Sequence, residues 1–169
     1  MAETNLILGF AGMPPQSARN CMQELSPIPN GEFRKTINGN LLFLQAVERK
    51  KYKSTIICKD VNSPIADGMW VGSQILVGCI QNLWQAIEPG NLNADLIRPA
   101  VAGSVYAVNN FGEKIKFKSR DNAVELYKKC EERVFICFRP WLTMQITDFA
   151  IETDEWGTNS GWKLQLEEI

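Results

Sequence analysis

The chain has 169 residues, 45% hydrophobic with five Trp and eight Phe, enough to bury a sizeable core in one unit. A formal net charge of −1 excludes a generally basic nucleic-acid binder. With no histidine at all, Ser-His-Asp, Cys-His and His-metal sites are excluded too.

Taken in order, the elements predict a mainly β protein, an antiparallel sandwich or barrel-like domain spanning 1–169. Met1-Ala2-Glu3-Thr4 lacks the basic and long apolar regions of a signal peptide, and no stretch approaches the roughly 20 apolar residues of a membrane helix. No secretion by that route and no membrane span are expected. Residues 1–30 read as a strand, Leu6 to Phe10, followed by an arm in which Pro14-Pro15 ends regular pairing. Phe33–Ile37 and Leu41–Leu44 flank Asn38-Gly39-Asn40, a hairpin signal, with Asn-Gly supplying the positive φ angles of a type I′ turn.

Thr55–Cys58, Met69–Val71 and Gln74–Ile80 read as neighbouring antiparallel strands, joined by the loop Asn62–Gly68. Ile80 to Ile87 fits either strand or short helix until Glu88-Pro89-Gly90 closes it, and Asn91–Pro99 reads as loop. Ser104–Val108 and Lys114–Lys118 are expected as strands around a turn at Asn109–Gly112. One helix is expected over about 122–133, capped by Ser119 or Asp121, because Leu126, Cys130 and Val134 fall four apart. Phe135–Phe138 returns to strand, and Arg139-Pro140 marks a corner.

Residues 141–169 read as one long closing hairpin, with Trp156-Gly157 entering its turn and Gly161-Trp162 leaving it. Trp162, Leu164 and Leu166 alternate with polar residues, a period of two. Apolar residues sit at Leu142, Met144 and Ile146 but then at Phe149 and Ile151, so the parity slips near Thr147-Asp148, as a β-bulge or a strand crossing between sheets would make it do. Trp70 and Trp162 are expected in the core, and Trp156 is placed to pair with Trp162 across the hairpin.

Charge is uneven along the chain. From Glu32 to Asp60 seven Lys/Arg, including Arg49, Lys50, Lys51 and Lys53, meet three acids; from Trp141 to Ile169 six acids, including Asp148, Glu152, Asp154 and Glu155, meet Lys163 alone. Such polarity suits head-to-tail self-association as well as ordinary solvated faces. Arg49-Lys50-Lys51-Tyr52-Lys53 interleaves an aromatic with cations as a nucleic-acid grip does, but has no RNP or KH context, and a tyrosine packing inward accounts for it as well.

Asp148, Glu152 and Asp154 fall on one side of a strand, yet without calcium-loop spacing that side reads as solvated or subunit-facing. No Gly-rich phosphate cradle is present. Of the five cysteines, an odd number with no CxxC, Cys58, Cys79 and Cys137 sit in apolar runs and read as core residues of a protein matured in a reducing cytosol. No metal or cofactor is expected.

Segments spread over most of the chain carry a resemblance: Pro14-Pro15-Gln16-Ser17-Ala18-Arg19 with Glu24-Leu25-Ser26-Pro27-Ile28, Arg34-Lys35-Thr36-Ile37-Asn38-Gly39, Lys51-Tyr52-Lys53-Ser54-Thr55-Ile56, and Ala66-Asp67-Gly68-Met69-Trp70-Val71-Gly72. Phe138-Arg139-Pro140 through Met144, Asp154-Glu155-Trp156-Gly157, Gly161-Trp162 and Leu166-Glu167-Glu168 complete it. Together these resemble the small virion structural proteins of tailed bacteriophages, while Phe111 to Val134 lies outside the likeness.

The resemblance implies a non-enzymatic tail or head–tail component, such as a tube, adaptor or baseplate subunit. Made in the host cytoplasm and located in the virion, it would assemble as a homo-oligomeric ring with other tail proteins, meeting DNA only as cargo passing the lumen. The subunit contacts expected are Arg49, Lys50, Lys51, Lys53, Asp148, Glu152, Asp154, Glu155, Trp156, Gly157, Gly161 and Trp162. A carbohydrate- or cell-surface-binding β-module with Trp residues as its platform is the alternative, and an enzyme a distant one.

Overall fold

A computed structural model describes residues 4–9, 12–45 and 50–169. Among them the chain forms strands and no helix: β1 (Ile7–Leu8), β2 (Met22–Pro27), β3 (Gly31–Lys35), β4 (Leu41–Gln45), β5 (Tyr52–Asp60), β6 (Gln74–Gly78), β7 (Leu83–Ile87) and β8 (Asn93–Asp95). There follow β9 (Tyr106–Val108), β10 (Lys114–Ile115), β11 (Phe117–Arg120), β12 (Ala123–Leu126), β13 (Val134–Phe138), β14 (Trp141–Thr153) and β15 (Ser160–Glu168). Phe10 and Arg49 lie outside the described residues.

Six antiparallel strands in the order β1-β6-β14-β15-β5-β2 curl into a half-barrel. Its concave side takes alternate residues of each strand, including Ile56, Val77, Met144, Leu164 and Trp162, into one core. The N-terminal arm plugs this core with Met13 and Ala18; the Trp162 indole N–H donates to Ser17 O at 2.8 Å, and Asn62 N–H donates to Gln16 O at 2.9 Å. A second core, with Val124, Leu126, Ile136 and Phe138, is shared by the sheet β10-β9-β13-β7 and the sheet β11-β12-β8. The corner at Arg139-Pro140 joins the two halves, where Cys79 N–H donates to Pro140 O and Trp141 N–H to Pro99 O.

The parity slip is a β-bulge: Ile146 faces Leu166, Asp148 faces Gln165, and Thr147 is the inserted residue. The expected helix is absent. Val124 and Leu126 are buried while Ala123, Glu125 and Tyr127 are exposed, which is a period of two. A two-residue turn at Asp121-Asn122, with Asp121 at φ +53°, folds β12 onto β11, and β8 pairs with the other edge of β12. The spacing of four from Leu126 to Val134 therefore connects two strands that share a core rather than marking one helical face.

Other expectations shift for reasons of packing. Strands β5 and β6 are not neighbours, because the β14–β15 hairpin inserts between them; Met69–Val71 is turn, with Met69 buried and Trp70 72% exposed. Asn91–Pro99 contains β8, and β2 forms in the arm where no strand was expected. The turn of the β3–β4 hairpin spans Thr36–Asn40; Gly39 takes φ +81° and donates its N–H to Thr36 O, so Asn38 need not enter the left-handed region as a type I′ turn requires.

At the far end of β5, Asp60 accepts from the Arg19 guanidinium at 2.7 Å and from the Arg19 backbone N–H at 2.9 Å, tying the arm to the half-barrel. Hydrogen bonds from Arg19 hold its carboxyl near about 2, against an ordinary value of 3.8. A carboxylate lowered in this way stabilises the fold fully above its unfolded value and loses that contribution as pH falls through the folded one. Urea unfolding should therefore show stability declining between pH 4 and pH 2 in the wild type, and a shallower decline in Asp60→Asn.

Candidate assembly surfaces

The closing hairpin carries Glu152, Asp154 and Glu155 to one end of the half-barrel, while Asp148, opposite Gln165 and level with Thr55, stands two residues from the other. Between β14 and β15 the tip is organised by Asp154, whose carboxylate accepts from Thr158 N–H at 2.7 Å, from the Thr158 hydroxyl and from Asn159. These donors lower its pKa, the Thr158 hydroxyl most of all. Glu155 and Trp156 are exposed at the tip, Trp156 at 84%, and Gly157 turns there at φ +63°. Trp162 instead lies in the core, 2% exposed, so it forms no pair with Trp156.

Asp148 and Glu152 share the convex face of β14 with Ala150, and Glu152 stands opposite Gly161. Lacking a side chain, Gly161 leaves a notch of about 150 Å³ edged by Lys59, Glu152 and Lys163 over Ile57 and Ala150. Four residues separate Asp148 from Glu152, about 13 Å along a strand, too far for one ion to be shared. Among the described residues no group of three or more Cys, Asp or Glu is placed to hold a metal ion.

The basic group occupies the opposite end of the same strands. Lys53 faces Glu167 and Asp60 faces Ser160, so the two ends of the β5–β15 pairing are seven residues apart, about 23 Å. Lys50 and Lys51 precede Lys53 there and are exposed, while Tyr52 packs inward against the core.

Sequence reasoning missed the residue that anchors this end. Arg98, from the second half, reaches Glu168 at 2.7 Å, donates to Lys50 O at 2.7 Å and lies 5.8 Å from the centre of the Tyr52 ring. Glu168 also accepts from Tyr52 N–H at 2.9 Å. The hydrogen bond to Glu168 raises the pKa of Arg98, so the guanidinium stays charged throughout.

Also missed as a functional element was the β3–β4 ribbon. All ten of its strand residues are exposed, among them Phe33 at 68%, Leu41 at 61% and Leu42 at 49%. Phe33 and Phe43 stack across it with ring centres 4.7 Å apart, and on the other face Arg34 pairs with Glu32. The run Leu41–Leu44, apolar without alternation, was the available signal: such a strand is apolar on both faces and needs cover on both.

The remaining candidates are dispersed. Trp84 packs edge-on to Tyr106 in the second half, Trp70 lies beside β6 and Trp156 at the hairpin tip, so the exposed indoles belong to three separate elements. All five cysteines are free thiols. Burial pushes Cys79 up to about 11 and, with Cys58 beside it, raises Cys21, so neither is a ready thiolate near neutral pH. No helix among the described residues is long and apolar enough to cross a membrane. The chain matches no family model, no curated protein and no solved structure.

Two substitutions test these ends separately. Glu168→Gln leaves Arg98 with a weaker partner and should cost about 1–3 kcal/mol in urea unfolding. Gly157→Val forces a branched residue to positive φ with nothing within 4 Å to clash, a backbone cost of about 1–2 kcal/mol. It should impair assembly, read as native mass, more than it lowers monomer stability; equal loss of both would mark the tip as purely structural.

Proposed function

We propose that this chain is a non-enzymatic structural protein of a tailed-bacteriophage virion, a tail component that assembles as a homo-oligomeric ring. The observation that carries the reading is the β3–β4 ribbon. A two-stranded hairpin is marginally stable alone in water, and this one exposes large apolar side chains on both faces. Burial against another subunit supplies the cover that the described residues of its own chain do not.

The charge distribution supports the same reading. The acidic tip and the basic end lie at opposite ends of one sheet, an arrangement suited to a heterologous contact in which unlike ends of successive subunits meet. The likeness of the sequence segments to tailed-phage virion proteins supplies the setting; tube, adaptor and baseplate positions all fit a ring of this kind.

Purified protein examined by native mass measurement and negative-stain microscopy should give closed rings of uniform subunit number, and mass spectrometry of purified virions should detect the chain. A strictly monomeric protein that is also missing from particles would refute the proposal.

A further inference from the structure

Strand β14 is inside the six-stranded sheet for only half its length. Strand β6 pairs with Trp141–Gln145, and the last bonds on that side are Ile146 N–H to Ser73 O and Gly72 N–H to Ile146 O. From Thr147 to Thr153 no described strand lies on the outer side of β14. At the tip Asp154 N–H donates to Asn159 O, and the alternation of an antiparallel ladder then turns the N–H and C=O groups of Phe149, Ile151 and Thr153 to this open edge. Such an edge is a template for one more strand.

The ribbon has open edges of its own. Thr36 N–H donates to Asn40 O, so by the same alternation Gly31, Phe33 and Lys35 present their backbone groups on the outer edge of β3. We propose that the outer edge of β3 in one copy of this chain pairs with the open edge of β14, residues 147–153, in a second copy, extending the half-barrel sheet between subunits. The inference rests on the homo-oligomeric reading above and specifies its contact.

Side-chain chemistry selects the edge and the register. Strand β3 carries Arg34 and Lys35 against one acid, Glu32, whereas residues 147–153 carry Asp148 and Glu152 and no cation. The antiparallel register that sets Arg34 opposite Asp148 also sets Glu32 opposite Ala150 and Phe33 opposite Phe149. It joins the unlike charges on the convex face and the aromatic rings on the concave one. Pairing through the outer edge of β4 would instead set Leu44 against Asp148 or Leu42 against Glu152, an apolar side chain opposite a carboxylate in either register.

Topology makes the contact intermolecular. The ribbon follows β2, the strand that ends the sheet on the side of β5, while the open edge of β14 faces the other side, across β15 and β5. Donor and acceptor edges are thus different surfaces, and repeating the contact closes a ring or grows a filament.

The test uses the full-length protein, with assembly followed by sedimentation and native mass. Arg34→Asp and Asp148→Arg should each raise the apparent dissociation constant about tenfold or more, and combining them should restore most of the loss. Ile151→Pro removes an outward N–H from β14 without taking a bond from β15, and should abolish assembly while circular dichroism shows a folded chain. Rings that withstand all three single substitutions at wild-type strength overturn the edge pairing and leave the homo-oligomeric reading standing. Loss of assembly in Phe33→Asp but in none of the three places the ribbon on another surface and also overturns it. A wild type that is monomeric at every concentration overturns the homo-oligomeric reading itself.

Discussion

The pairing of β14 with β15, and the single extra residue within it, is the constraint on which the rest of this structure depends. Up to Ile146, β14 directs Leu142, Met144 and Ile146 into the first core; beyond Thr147 it directs Phe149 there, with Ile151 on the same face but exposed. Were Thr147 paired regularly with Gln165 instead of bulged, alternation would turn Asp148 inward opposite Leu164, and a one-residue slip in a half-buried strand sends every later side chain to the wrong face. The bulge lets one thirteen-residue strand serve β6 with its first half and leave the outer edge of its second half without a described strand beside it. Both neighbours of the hairpin, β6 and β5, take their register from it.

From that arrangement the two ends of the sheet acquire different characters. One holds the Asp154-organised tip, the Gly161 notch and the carboxylate of Glu152. The other holds Lys50, Lys51 and Lys53 together with Arg98, which spends its charge on Glu168 and fastens the second half of the molecule to the first. Partial compensation at each end, Lys59 and Lys163 beside Glu152 and Arg98 with Glu168, leaves a field that orients partners more than it holds them. Affinity then has to come from backbone pairing and from apolar burial by the ribbon.

Much of the fold was legible. The closing hairpin, the parity slip, the β3–β4 hairpin and the burial of Cys58, Cys79 and Cys137 follow from alternation and turn chemistry, which act between residues close in sequence. The helix expected over 122–133 failed because a spacing of four can belong to one helical face or to two strands meeting in one core, and a short window does not separate them. Trp70 was misplaced for a related reason: its apolar setting is shared with Met69, and only the turn at that point decides which of the two faces inward.

By itself the sequence determined the class, a β-rich chain without histidine chemistry, and the location of its charge, because composition and period are properties of the chain alone. Tertiary structure decided that β14 and β15 separate β5 from β6, that Arg98 meets Glu168 seventy residues away, and that among the described residues the ribbon and the second half of β14 are left with open edges. Those outcomes depend on which strands become neighbours, and that choice is made by burying two cores at once, which no local pattern encodes.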